Sequence, residues 1–233
     1  YTTLFRSLIP DTKWKKNNLG KGWVIGETLI TGIGQGYTQT TPLQLCLMTA
    51  QLANGGFEIK PRIIIDEKTQ PNNLQEYLDF RKKNPNDLLS IDQQVWNFNL
   101  KPLFRNQENI NFVKDAMFAA SNEPGGTSYA SRHRDKKFMF AGKTGSSQIK
   151  RFTEEQRRTE VKQTDILYKE RDHAWFVAYA PVQDPKYAIS VLVEHGGSGS
   201  SAAAPVAKKV IKKVIDRHEI RKVTINGNTG ENI

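Results

Sequence analysis

The first strongly patterned stretch of the chain is Leu43, Leu45, Cys46, Leu47, Met48, Ala50, Leu52 and Ala53. It leaves almost no polar face and predicts a core helix. Its start is written in the sequence: Thr41 as N-cap, Pro42 at the first helical position, and Gln44 three residues past the cap, the order of a capping box. Asn54-Gly55-Gly56 stops it, because glycine adopts the left-handed backbone that ends many helices. Upstream, residues 1–37 are rich in Gly, Thr and turn signals and end in Gly32-Ile33-Gly34-Gln35-Gly36, so they read as loop with tight turns. Downstream, Pro61 to Ile65 reads as a short apolar strand, and 66–109 as a polar, Asn-rich surface excursion with short helical pieces. Ile110, Val113, Met117 and Ala120 then recur at helical spacing as far as Pro124-Gly125-Gly126, with a second short helix expected near Thr127.

The last third alternates differently. Phe138 to Ile149, His173 to Ala180 and Tyr187 to Glu194 read as strands, the last two joined by a turn over Pro181 to Lys186. The densely charged stretch 150–172 is expected to be a long solvated loop between the first two strands. From Ala202 to Ile220 the pattern is helical, with Val206, Val210 and Val214, flanked by Ile211 and Ile215, as one apolar stripe. At about 1.5–3 kcal/mol for each fully buried aliphatic side chain, that stripe needs a sheet to pack on. Lys208, Lys209, Lys212, Lys213 and Arg217 cover the rest of the helix and read as a solvated face; the Gly- and Asn-rich tail 223–233 reads as frayed. Helices first, then an antiparallel sheet closed by a terminal helix, is the pattern of an α+β domain.

Composition narrows the possibilities. Among 233 residues, 37% are hydrophobic, with eleven Phe, seven Tyr and four Trp, which excludes a disordered polar chain. Thirty-four Lys plus Arg against 24 Asp plus Glu give +10, a balance that favours acidic partners without choosing among nucleic acid, anionic lipid and a polyanionic polymer. Cys46 is the one cysteine, which excludes an internal disulfide and a multi-cysteine zinc site, and it reads as an inert buried thiol. His133, His173, His195 and His218 lack metal-ligand spacing, so no metal is expected. No aromatic-interleaved basic motif argues for nucleic acid. No signal peptide is visible, and apolar runs such as Tyr187 to Val193 fall well short of the roughly 20 residues of a membrane span. The expectation is a soluble piece of a longer protein.

Ala141-Gly142-Lys143-Thr144-Gly145-Ser146-Ser147 is the segment richest in chemistry. A phosphate-cradling loop needs a glycine five positions before Gly142, where Lys137 stands, and a helix directly afterwards, where the pattern stays strand-like. Two readings remain, an ordinary strand end and a ligand-binding edge strand, whose free backbone groups pair with a peptide-like ligand. Gly145 would let that ligand approach closely, Thr144 offers a hydroxyl, and Lys143 offers a positive charge for a substrate carboxylate. The backbone N–H of Ser146 would serve as an oxyanion donor, an interaction typically worth about 2.7–4 kcal/mol in the barrier. Glu27 and Glu194 have nothing in the sequence to support a general-base role, and His195-Gly196-Gly197 is a turn expected to end near the same strand.

Several segments carry a family resemblance in order: Gly32-Ile33-Gly34-Gln35-Gly36, Thr41-Pro42-Leu43-Gln44-Leu45, Leu52-Ala53-Asn54-Gly55-Gly56, the Lys143-Thr144-Gly145 signature, and His173-Ala174-Trp175-Phe176-Val177-Ala178-Tyr179-Ala180-Pro181. Together they resemble the class B penicillin-binding proteins, the bacterial peptidoglycan D,D-transpeptidases. Trp14-Lys15, Gly26-Glu27-Thr28 and the Gly-Ile-Gly-Gln-Gly form are similar to the elongation subtype, penicillin-binding protein 2. The family pattern also has an acylated serine in Ser-x-x-Lys and a Ser-x-Asn element upstream of the glycine-rich run. No Ser-x-Asn occurs here, and the one Ser-x-x-Lys, Ser147 to Lys150, lies on the Lys-Thr-Gly strand. A three-residue spacing puts two side chains on one face of a helix but on opposite faces of a strand, so that match is coincidental.

The resemblance implies a partial transpeptidase fold, with residues 1–222 as the C-terminal portion of one domain, 223–233 as a flexible tail, and the nucleophile upstream. It implies catalytic roles for Lys143 and Ser146, substrate binding by Lys143, Thr144, Gly145 and Ser146, and no cofactor. The implied ligands are the D-Ala-D-Ala end of a peptidoglycan stem peptide and β-lactam antibiotics; the implied partner is an elongation-complex glycosyltransferase. An N-terminal membrane anchor on the parent and the periplasmic face of the inner membrane complete the expectation. A β-lactam sensor or a serine β-lactamase relative shares the fold and is the alternative, fitted less well by the glycine-rich and Thr-Pro-Leu-Gln-Leu segments. A basic adaptor without chemistry is the third reading, and it predicts no Lys-Thr-Gly cleft.

Overall fold

The computed structural model describes residues 8–59, 61, 102–149 and 165–228, with side chains in the last helix described through Arg217. All but Pro61 of the strand expected over Pro61 to Ile65, the surface excursion as far as 101, most of the charged loop (150–164) and the end of the tail (229–233) lie outside the described residues.

The first 37 residues depart from the expected loop. Helix α1 spans Thr12–Leu19 and helix α2 spans Ile25–Gly32. Both have local causes. Asp11 Oδ1 accepts the Trp14 N–H at 2.6 Å to cap α1, and Gly20 ends it at φ 64°. Glu27 accepts the Val24 N–H at 2.9 Å at the start of α2 and also pairs with the buried Lys15 of α1. The loop reading holds for 20–24 and for the turn after α2, where Gly34 has φ 76° and Gly36 φ 77°.

Helix α3 (Pro42–Ala53) begins as its sequence predicts: Thr41 Oγ1 accepts the Gln44 N–H at 3.2 Å, and Gln44 Oε1 accepts the Thr41 N–H at 2.9 Å. Helix α4 follows over Gln107–Asn122. The burial of α3 is narrower than expected. Thr49, Leu52 and Ala53 are buried, whereas Leu43 and Met48 are exposed, because the sheet and α4 cover one side of the helix. Cys46 is half-buried rather than buried. Its thiol donates to the Ala188 carbonyl at 3.4 Å, and burial raises its pKa, in keeping with an inert group. Helix α4 buries Ile110, Met117 and Ser121 while Val113 stays exposed, and the short helix expected near Thr127 is a 3₁₀ turn at Tyr129–Ser131.

The sheet is antiparallel with order β1-β2-β3: β1 (Ala141–Ser147), β2 (His173–Ala180) and β3 (Tyr187–Val193). Strand β1 starts three residues later than expected because Phe138 is still in a turn, its N–H donating to the Asp135 carbonyl at 3.0 Å. Alternation divides β2 between two cores. Ala174, Phe176, Ala178 and Ala180 join Phe138 and Phe140 on one face, and Tyr179 joins Ala141, Leu52, Ala53 and Met117 on the other. Burial, and then the Asp115 carboxylate, push the Tyr179 hydroxyl up to about 12, so it stays neutral.

A π-helical turn at Gly199–Ala203 leads into helix α5 (Ala204–Asn228), whose backbone is helical beyond 222, across the start of the stretch expected to fray. The valine stripe does not face the sheet: Val206, Val210 and Val214 are exposed. Ala203, Ala204, Ala207, Ile211 and Ile215 pack there instead. Alanines let the helix axis approach the sheet, and Ile211 and Ile215 add larger buried side chains to the same core.

Phe176 is fully buried and meets Phe140 edge-on, with ring centroids 5.7 Å apart. Phe176→Ala is expected to lower the unfolding free energy by about 3–5 kcal/mol, read from urea denaturation. A loss below about 1 kcal/mol would mean that this core does not hold the sheet to α5.

Candidate functional site

Among the described residues, strand β1 stands at the sheet border, laddered on one side to β2 with Lys143 opposite Val177, Thr144 opposite Phe176, Gly145 opposite Trp175 and Ser146 opposite Ala174. Gly142 reveals which backbone groups turn outward. Its N–H donates to Ser121 Oγ on α4 at 3.0 Å, and the same hydroxyl lies 3.4 Å from the Gly142 carbonyl. In an antiparallel pair, alternate residues spend both groups on the partner strand. Gly142 spends its pair on α4, so Lys143, Gly145 and Ser147 ladder with β2, and Thr144 and Ser146 direct N–H and C=O to the open side. Asn122 strengthens the clamp from α4 by donating to the Phe140 carbonyl at 2.9 Å.

The side chains of the motif fall around that border. Lys143 Nζ donates to the Thr144 carbonyl at 2.8 Å, which places an ammonium against the open edge. Thr144 Oγ1 donates to Thr127 Oγ1 at 3.1 Å, and Ser146 Oγ donates to the Gly197 carbonyl at 3.3 Å. The His195-Gly196-Gly197 turn therefore does abut the end of β1. His195 has φ 55°, donates its N–H to His173 Nδ1 at 3.0 Å and has its ring centroid 4.9 Å from that of His173, so both imidazoles are engaged in shaping the turn. Gly197 donates to the Asp172 carbonyl at 2.8 Å, and Asp172 is buried; this end of the expected solvated loop packs against the sheet.

Two glycines in the site are required by close approach. A Cβ on Gly142 would lie 2.5 Å from the Phe176 ring, and one on Gly199 would lie 2.3 Å from the Trp175 carbonyl oxygen and 2.8 Å from that of Gly145. Gly199 thus lays its bare Cα on the ladder at the motif's own glycine. Sequence reasoning gives no site role to Ser121, Thr127 or Gly199; Thr127 reads only as the start of a short helix.

Glu27, the carboxylate weighed as a base, is committed elsewhere. The Lys15 ammonium foremost, then the Val24 N–H, hold it below the usual carboxylate range. Among the described residues, no group of three His, Cys, Asp or Glu side chains is close enough to hold a metal ion, and no helix is long and apolar enough to cross a membrane. The serine of the Ser-x-x-Lys coincidence, Ser147, ends β1 in strand conformation, with Lys150 outside the described residues.

An antiparallel sheet backed by a C-terminal helix, with a lysine, a threonine and a glycine on its border strand, is the architecture of a penicillin-binding-protein transpeptidase domain. The chain belongs to that family: the model for the penicillin binding protein transpeptidase domain matches residues 9–212. The peptidoglycan D,D-transpeptidase MrdA of Haemophilus influenzae is 34% identical over 204 residues, covering 87% of this chain and 28% of that protein. MrdA of Salmonella typhimurium is 30% identical over 213 residues, covering 91% and 31%. Among solved structures, the complex of PBP2 and MreC from Helicobacter pylori matches with a TM-score of 0.67 at 30% identity, over 91% of this chain and 31% of that one. Pseudomonas aeruginosa PBP2 in complex with WCK 5153 matches at 0.62 and 33% identity, over 89% and 38%. The chain spans about a third of the length of the curated relatives it matches. The expected family and the α+β fold are both found.

Proposed function

We propose that this chain is the C-terminal portion of a peptidoglycan D,D-transpeptidase of the penicillin-binding protein 2 type, in which β1 receives the D-Ala-D-Ala end of a stem peptide. The observation that carries this reading is the outward-turned backbone of Thr144 and Ser146 on a border strand that also bears Lys143. An incoming extended peptide adds as a further strand there, and Gly145 leaves room for it.

In the reaction proposed, a serine in chain outside these 233 residues attacks the penultimate D-Ala carbonyl, its proton passing to a neighbouring base. The developing oxyanion takes a hydrogen bond from the Ser146 N–H. The C–N bond breaks, the terminal D-Ala leaves after gaining a proton, and an acyl-serine remains. An amine from a neighbouring strand then attacks the ester, forms the cross-link and returns the serine to its hydroxyl form. Lys143 supplies positive charge for the substrate carboxylate and for the serine's electrostatics, and Thr144 a hydroxyl to that carboxylate. β-Lactams acylate the same serine. The periplasmic face of the inner membrane, an anchor on the parent protein and an elongation-complex glycosyltransferase follow from the same reading. MreC, bound by the H. pylori relative, is a further candidate partner.

The test uses the full-length protein. Lys143→Gln is expected to slow acylation by a fluorescent penicillin by about 10²-fold, followed by gel fluorescence, because a fixed charge aimed at the reacting group is removed. Labelling at the wild-type rate would refute the assignment of Lys143.

A further inference from the structure

We propose that the lysine-rimmed groove between α5 and the segment around Ser131 and His133 is a second binding site, and that it takes an acidic peptide. Its volume is about 520 Å³, and Lys208, Lys209 and Lys212 line one wall, with Ser200 and Ser201 at one end. Pits of roughly 300–1,000 Å³ commonly hold small ligands or a few residues of peptide. Ala130 and Pro205 give the lining apolar surface, and His133 is fixed in place by Nε2 lying 3.1 Å from the Lys208 carbonyl.

The charge is there to be used. Lys212 is engaged by Asp216 at 2.6 Å, whereas no carboxylate among the described residues pairs with Lys208 or Lys209. Lys208 and Lys209 therefore bring positive charge to the lining that favours an anionic occupant. The basic face of α5, which the sequence presents as merely solvated, is folded at this point into a concave surface.

Shape chooses the occupant. A concave groove does not match the plane of a bilayer, and no Phe, Tyr or Trp lines it to stack a nucleic-acid base. A flexible peptide with carboxylates fits both the depth and the charge. No residue of β1 lines the groove, but two chain neighbours of its lining touch that strand: Thr127, three residues before Ala130, bonds Thr144, and Gly199, next to Ser200, lies on the backbone of Gly145. An acidic segment of the peptide substrate class, lying beside the end bound on β1, is the occupant that continuity favours; that last step rests on the transpeptidase reading.

The experiment titrates a fluorescein-labelled oligoglutamate with the full-length protein and follows anisotropy. The double variant Lys208→Gln/Lys209→Gln is compared with Lys13→Gln/Lys16→Gln, which removes the same charge from the exposed side of α1. The groove variant is expected to bind about tenfold more weakly and the α1 variant like the wild type, with the contrast shrinking as salt is raised. Equal weakening by both variants would reduce the effect to net charge and overturn the site. Tighter, groove-dependent binding of phosphatidylglycerol vesicles or of an oligonucleotide would overturn the occupant. Penicillin labelling of the same samples separates the two ideas: a groove contrast without any labelling refutes the transpeptidase reading alone, and labelling without a contrast refutes the groove alone.

Discussion

A labelled penicillin incubated with the 233-residue chain by itself is expected to leave no covalent adduct after denaturing electrophoresis. Acylation needs a serine whose hydroxyl is activated by a neighbouring base, and Ser-x-x-Lys achieves this only on a helix, where the two side chains share a face. Ser147 is on a strand instead. The other serines near the border are already committed to structure. Ser121 and Ser128 bond each other at 3.0 Å in the interior, Ser146 donates to Gly197, and Ser198 and Ser200 bond each other at 2.8 Å. An oxyanion donor without a nucleophile still binds and orients, but forms no acyl intermediate. A stable adduct mapped by mass spectrometry to any serine of this chain would show that the nucleophile has been placed wrongly.

The parts of this arrangement that sequence reveals are those whose causes are local. Strand β2 alternates cleanly between two cores, and its bounds, His173–Ala180, are those its pattern predicts. The start of α3 is set by Thr41, Pro42 and Gln44 within four positions. Lys143, Thr144, Gly145 and Ser146 are legible as a candidate because a small, ordered motif sits in a strand pattern. What is hidden depends on partners distant in sequence. Ser121 is one polar residue on an otherwise ordinary helix until its hydroxyl meets Gly142, 21 positions later. The face of α5 is misread because valines outrank alanines in hydrophobicity, whereas close approach to the sheet favours Ala203, Ala204 and Ala207. The early helices are missed because Asp11 and Gly20, a cap and a stop, stand in a stretch whose glycines and threonines suggest only turns. The groove beside α5 has no linear signature at all, since its two walls are far apart in sequence, 75 positions in the His133–Lys208 hydrogen bond.

Replacing Ser146 by proline separates the role of its backbone from that of its side chain. Proline removes one N–H and fixes φ near −65°, which a sheet tolerates where that N–H faces away from the ladder. Ser146 meets this condition, because the clamp on Gly142 sets the alternation that turns the Ser146 N–H to the open side. The residue before a proline is pushed toward extended conformations, which Gly145 already occupies in β1. Proline also removes the part-buried hydrogen bond from the hydroxyl of the exposed Ser146 to Gly197, a long one at 3.3 Å. Stability should therefore change little, while the donor proposed for the oxyanion is lost. In the full-length protein, Ser146→Pro is expected to slow acylation by labelled penicillin by about 10²–10³-fold, equivalent to about 2.7–4 kcal/mol in the barrier. Ser146→Ala keeps the N–H and should label within a few-fold of the wild type, with both variants melting within a few degrees of it. Equal labelling rates for the proline and alanine variants would mean that the oxyanion is held elsewhere. Slow labelling by alanine as well would assign the effect to the hydroxyl and its bond to Gly197, not to the strand's open edge.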